Sequence, residues 1–202
     1  METFVKDAIM EHLVIENLLS KKQFGFIPGR STVTQLLQYL DKCLDTIATG
    51  GVVDAIYLDF QKAFDTVPHR RLLGKLRSYG ITGEMLAWID GFLSGRSQIV
   101  KVNGVESTSA PVLSGIPQGS VLGPLLFVIY INDLPDTLSS NTLLFADDTK
   151  VFRRITSKED ALALQADLAA LQRWSEKWLL RFHPDKCHVL TLGKLEDIKH
   201  TF

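Results

Sequence analysis

Three aspartates stand where an apolar core should resist them. Asp147 and Asp148 interrupt LLFADDTKVF (Leu143–Phe152), otherwise a run of apolar and small residues that reads as a buried strand. Asp59 lies near the end of VVDAIYLDF (Val52–Phe60), rich in β-branched and aromatic residues and itself a good strand. A carboxylate in such surroundings neutralises itself or finds a cation. Strand alternation puts Ala55, Tyr57 and Asp59 on one face, and Ile56, Leu58 and Phe60 on the other. Laid side by side, the two strands would bring Asp59 and Asp147 to one sheet surface, where like charges raise one pKa unless a cation intervenes. Mg²⁺ is commonly held by one or two carboxylates together with substrate phosphates. Two such ions roughly 3.5–4 Å apart can stabilise both the attacking and the leaving oxygen of an in-line displacement. The acids therefore point to Mg²⁺-dependent phosphoryl or nucleotidyl transfer. A DD pair alone is more often a turn or a helix cap, so the inference needs its neighbours. Asp54, earlier in the same strand, reads as a strand-end acid in solvent.

The elements that must position these acids follow from periodicity and punctuation. Residues 4–19 have a helical period, and GFIPGRS (Gly25–Ser31) is a loop. A helix with Val33, Leu36, Leu37, Leu40, Leu44 and Ile47 follows, ended by Gly50-Gly51. Pro68 suits the first turn of a helix that Gly80 closes, and Thr82 caps another carrying Met85, Leu86, Ile89 and Phe92. Asn103-Gly104 between extended runs is a strong hairpin signal. GIPQGSVLGP is a loop leading into an apolar helix, and a second hairpin carries Asp147-Asp148 at or near its tip. SKED (Ser157–Asp160) opens a long helix with Leu164, Leu168, Leu171 and Trp178. Hairpins imply antiparallel pairing and no βαβ alternation is seen, so the expected class is α+β.

The 202 residues suit one large domain or one domain with a small appendage, and a net charge of −1 does not announce a nucleic-acid binder. Cys43 and Cys187 offer neither a disulfide framework nor a zinc pair, which makes a reducing compartment the default. The first residues hold acids and no long apolar run, unlike a secretory signal, and Leu122–Ile131 is too short to span a bilayer. A soluble, intracellular protein is expected.

The acids have company, in order: QFGFIPGRST (Gln23–Thr32), YLDFQKAFD (Tyr57–Asp65), SGIPQGSVLGP (Ser114–Pro124), FADDT (Phe145–Thr149) and WLLRFHPDKC (Trp178–Cys187). This series resembles the reverse transcriptase domain of non-LTR (LINE-type) retrotransposons over nearly the whole chain. The resemblance implies a right-hand polymerase palm, an antiparallel sheet with helices on one face, with part of the fingers and no thumb. It implies RNA-directed DNA synthesis from an RNA template, a DNA or RNA primer and dNTPs, with no membrane partner. Residues 1–202 would form one partial domain: 1–51 a fingers-side remnant, 52–192 the palm, and 193–202 the start of a connection to a thumb. Fingers motifs, thumb and endonuclease would belong to the same polypeptide outside this chain. Nucleus or cytoplasm follows as location, the nucleus being expected for target-primed synthesis.

By the same resemblance Asp59 and Asp147 bind two Mg²⁺ ions, with Mn²⁺ a substitute, helped by the backbone carbonyl of Phe60. Asp148 completes the triad; a turn acid one step removed from the metal is the competing reading. Phe64 falls at the steric gate, where a ring under the sugar leaves no room for the 2′-OH that distinguishes RNA from DNA. Gln118 and Gly119 would meet the incoming nucleotide and the template. Lys186 matches the lysine that protonates leaving pyrophosphate, against plain surface charge; Arg30 is a candidate template or phosphate contact. Arg70, Arg71, Lys75 and Arg77 read first as a solvated helix face, and second as a template contact. The chain departs from the family at Ile27, where arginine is frequent, and at His183, where asparagine is common. Two alternatives stand beside a polymerase core. One is a retrotransposon-derived relic that binds nucleic acid without catalysis. The other is an RNA-dependent RNA polymerase, against which Phe64 and the FADD context argue.

Overall fold

The computed structural model describes residues 1–193 and falls into two compact units, each gathering segments distant in sequence. One combines Met1–Leu18 with Lys62–Tyr130; the other combines Leu19–Gln61 with Ile131 onward. In chain order come α1 (Glu2–Ile15), α2 (Thr32–Ala48), β1 (Val52–Leu58), α3 (Ala63–Thr66), α4 (His69–Ser78) and α5 (Gly83–Leu93). Four short strands follow: β2 (Ser97–Gln98), β3 (Lys101–Val102), β4 (Val105–Glu106) and β5 (Ala110–Pro111). Then come α6 (Gly123–Ile131), β6 (Asn141–Phe145), β7 (Asp148–Ile155), α7 (Lys158–Trp178) and β8 (His188–Leu192). The expected α+β class with antiparallel pairing is what the chain adopts. The anticipated connection toward a thumb lies outside the described residues except for Gly193.

The second unit is built on a four-stranded sheet, β6-β7-β1-β8, antiparallel throughout. β1 is interior to it, which suits its apolar sequence. On one face Val53 and Ala55 join Phe24, Tyr39, Cys43, Leu143 and Phe152 in a core that Tyr57 and Phe145 extend. α7, capped by Ser157 Oγ accepting from the Asp160 amide, buries Leu164, Leu171 and Trp174 and lies against β7. β8 corrects the reading of Asp54. Paired along β1, it leaves that carboxylate wholly buried, with Thr191 Oγ1 donating to Asp54 Oδ1 at 2.6 Å. β8 is short and exposed, so nothing in VVDAIYLDF announced its cover.

α2 also turns differently from its apolar pattern. Its buried side is Gln35, Tyr39, Cys43 and Thr46, whereas Val33, Leu36, Leu37, Leu40, Leu44 and Ile47 are 37–63% exposed. Tyr39 explains the choice: its ring packs edge-on to Phe152 at 5.0 Å and to Tyr57 at 6.5 Å, a contact that fixes which side faces the sheet.

In the first unit α6 is buried from Leu125 to Tyr130, α4 and α5 pack through Leu72, Leu76, Ile89 and Leu93, and α1 buries Ile9 and Leu13. α1 stops earlier than its period suggested, at a turn where Asn17 takes the left-handed conformation (φ 51°). Asn103-Gly104 makes the expected tight turn between β3 and β4, both residues at positive φ. The basic cluster divides. Arg70 and Arg77 are exposed, but Lys75 is 3% exposed, donates to the Tyr130 carbonyl and lies 5.2 Å from that residue's ring. Lys75 therefore belongs neither to a solvated face nor to a template contact. Among the described residues no helix is long and apolar enough to cross a membrane.

Candidate active site

β1 and β7 are neighbours, with Leu58 opposite Thr149, so Asp59 and Asp148 each lie one residue beyond that matched pair at the same sheet end. β6 and β7 form a tight hairpin in which Phe145 pairs with Asp148, leaving Ala146 and Asp147 as the turn itself. Ala146 takes a left-handed φ of 52°, uncommon for a residue with a Cβ. Gln23 holds that turn in place. It is 1% exposed; its Oε1 accepts from the amides of Gly25 (2.8 Å) and Ala146 (2.9 Å), and its Nε2 donates to the Ala146 carbonyl at 3.4 Å. The backbone of Lys22–Phe24 runs along β6, with Phe24 N donating to Leu144 O and Leu144 N to Lys22 O, each at 2.8 Å. A side chain at Gly25 would meet the Ala146 nitrogen at 2.3 Å, so only glycine fits there. Sequence reasoning quoted QFGF as a motif without seeing that its glutamine and glycine shape the acid turn. A glutamine before Phe-Gly was the available signal.

Past β1, the Asp59 carbonyl accepts from His183 N and Gln61 N donates to Arg181 O, both at 2.8 Å. Neither bond uses the Phe60 carbonyl. The Phe60 ring is 2% exposed and stacks on Phe182 at 4.5 Å, anchoring the acid-bearing segment. His183 thus contributes through its backbone N–H, which any residue but proline supplies at that position.

Lys186 Nζ lies 2.9 Å from Asp59 Oδ2. That hydrogen bond and charge, with the Asp147 charge, push the lysine's pKa up. Asp147 is half-buried; burial first, then the charges of Asp148 and Asp59, raise its carboxyl above the ordinary range, with its own backbone amide and Lys186 opposing. The sheet end therefore carries a concentration of negative charge, with Lys186 paired to Asp59 and Lys150 feeling the charge of Asp148. Asp59, Asp148, Lys186, Thr32, Gln35, Tyr57 and Lys150 line a cavity of about 380 Å³ there. Among the described residues no three of His, Cys, Asp and Glu converge as a ready-made metal cluster. The donors are nevertheless hard carboxylate oxygens whose mutual repulsion a divalent cation would relieve, and Lys186 stands in for such a cation at Asp59.

The remaining candidates are held by local contacts. In the first unit Phe64 stacks on Phe127 (centroids 4.5 Å, 23°) and its carbonyl accepts from Ile116 N at 2.8 Å. Gln118 Nε2 donates to Asp65 Oδ1 at 2.9 Å. Gly119 is exposed and a Cβ there would meet nothing, though its φ of +80° favours glycine; the crowded glycines of the motif are Gly115, at φ +87°, and Gly123. In the second unit Arg30 points its guanidinium into its own loop, donating to Ser20 O at 2.7 Å and to Gln23 O, with the Phe24 ring beneath. Ile27, which stands where arginine is frequent in the family, is 8% exposed.

The profile of the reverse transcriptase (RNA-dependent DNA polymerase) family matches residues 1–200. The RNA-directed DNA polymerase from mobile element jockey of Drosophila melanogaster is 33% identical over 92% of this chain and 22% of its own length. A Pol polyprotein from a type-1 R2 retrotransposable element of Nasonia vitripennis is 33% identical over 90% of this chain and 19% of its own. The chain thus spans about a fifth of these relatives. In fold it is similar to telomerase from Candida tropicalis solved with a TWJ fragment of telomeric RNA, with a TM-score of 0.70 at 13% identity, covering 98% of this chain and 35% of that one. With acids, motifs and profile in agreement across nearly its full length, the chain belongs to the reverse transcriptase family, and its relatives are polymerases of non-LTR retrotransposons.

Proposed function

We propose that this chain is the palm, with part of the fingers, of an RNA-directed DNA polymerase from a non-LTR element. It would extend a DNA or RNA primer along an RNA template. One observation carries the reading: the β1–β7 register and the β6–β7 turn bring Asp59 and Asp147, some ninety residues apart, to one sheet end. Asp59, Asp147, Asp148 and the Phe60 carbonyl would hold Mg²⁺, which supplies charge neutralisation at the attacking and leaving oxygens. The chain's own residues do the rest. The Gln23-braced turn orients Asp147. The Phe64 ring, backed by Phe127, excludes a 2′-OH from the sugar site. Lys186 keeps a proton at Nζ for the departing pyrophosphate. Gln118 and Gly119 meet the nucleotide and template. For Arg30 the reading shifts from a direct phosphate contact to bracing the loop that carries Gln23.

A second reading, a relic that binds nucleic acid without catalysis, has one observation in its favour: the Asp59–Lys186 pair already satisfies one acid. Primer extension separates the two. Purified chain with primed RNA, dNTPs and Mg²⁺ or Mn²⁺ should extend the primer. Asp147→Asn should abolish extension, and Phe64→Val should admit ribonucleotides. Retained RNA binding with no extension establishes the relic.

A further inference from the structure

Asp65 lies one residue beyond the sugar-gate ring, in α3, and no motif argument gave it a task. The GIPQGS loop is built against it. A Cβ on Gly115 would approach the Asp65 carbonyl oxygen to 2.6 Å, so loop and turn are in direct backbone contact. Gly115 N donates to Val67 O and Ile116 N to Phe64 O, both at 2.8 Å, and Ser114 Oγ donates to Asp65 O at 2.9 Å. From the other side the Gly115 carbonyl meets His69 Nε2 at 2.8 Å and accepts from Arg96 Nη2 at 2.7 Å. Against this fixed backbone, the Asp65 carboxylate accepts from Gln118 Nε2 at 2.9 Å. An ionised carboxylate only accepts, whereas a glutamine amide has one donor end and one acceptor end. The contact therefore determines which end is which: the NH₂ faces Asp65, which leaves Oε1 as the end a ligand in the open groove lined by both residues could meet.

We propose that Asp65 is a positioning residue for nucleotide selection, fixing the Gln118 amide so that its carbonyl oxygen is the group offered to the incoming nucleotide. This rests on the polymerase reading, in which Gln118 meets that nucleotide. One short turn then carries both the ring that tests the sugar and the carboxylate that orients the amide.

Steady-state primer extension against dNTP concentration tests it, with Asp65→Ala, Asp65→Asn, Gln118→Ala and the Asp65→Ala/Gln118→Ala pair. Asp65→Ala should raise the dNTP KM about five- to tenfold with kcat within about twofold. The double variant should be no worse than Gln118→Ala alone. Asp65→Asn, whose amide can donate or accept and so no longer dictates the flip, should fall between wild type and Asp65→Ala. It also provides the measurement if Asp65→Ala melts early. A wild-type KM in Asp65→Ala or in Gln118→Ala overturns the proposal, as do single-variant penalties that multiply in the double. Absence of extension by the wild-type chain overturns the polymerase reading and this inference with it. Wild-type extension with multiplying penalties removes only the role of Asp65.

Discussion

Asp147 carries a conflict that its own neighbours create. Burial and two like charges raise its carboxyl, so the folded chain takes up its proton more readily than the unfolded chain does. The folded state then loses stability as pH rises from the unfolded value near ~3.9 through the raised folded one. At neutral pH ionised Asp147 is a destabilising group. Asp147→Asn should accordingly raise the melting temperature at pH 7, with the gain vanishing near pH ~3.5, where both states are protonated. Millimolar Mg²⁺ should raise the wild-type melting temperature more than that of Asp147→Asn. Thermal melts at both pH values, with and without Mg²⁺, check this; an Asn variant that melts no higher at pH 7 refutes it.

Among the elements, α7 shows the opposite arrangement. Asp167, on its sheet-facing side, is 5% exposed, and burial alone would raise its carboxyl. The Ser140 hydroxyl first, then the amides of Ser139 and Ser140, both at 2.8 Å, and Ser139 Oγ at 3.1 Å outweigh that and hold its pKa below the ordinary range. A depressed folded pKa gives stability that is present above the unfolded value and lost as pH falls through the folded one. Asp167→Asn should cost about 2–3 kcal/mol in urea unfolding at pH 7, with the difference shrinking below pH ~4. Of these elements the sequence showed α7 and its cap, both hairpins and the acid strands, because period and turn chemistry are local. It could not show Asp54 under β8, Lys75 against Tyr130 or Gln23 behind Ala146. Each depends on a partner more than fifty residues away, and no local pattern encodes that pairing. That Asp59, Asp147 and Asp148 lie at one sheet end was legible because carboxylates in apolar strands violate a local rule; Asp65, in a polar turn, violates none.

For the chain as a whole, the exposed stripe on α2 sets an expectation about behaviour in solution. Val33, Leu36, Leu37, Leu40, Leu44 and Ile47 form a contiguous apolar strip on a helix whose other side holds the sheet core. Leu37→Lys with Leu44→Lys should change unfolding free energy by less than ~0.5 kcal/mol per site while lowering concentration-dependent association. Tyr39→Ala, on the buried side, should cost about 3–5 kcal/mol. Light scattering and urea melts measure both, and a large loss in the lysine variant would mean that the stripe is packed in solution. Family membership describes the whole chain, yet the acid turn depends on one long-range contact. Gln23 and Ala146 are 123 positions apart. Closing a loop of that size is entropically slow compared with forming the hairpin that carries the acids. The hairpin that carries Asp147 and Asp148 can thus form well before Gln23 arrives to set the turn. In the history of each molecule, the acid turn takes its final shape only when two distant segments of the chain meet.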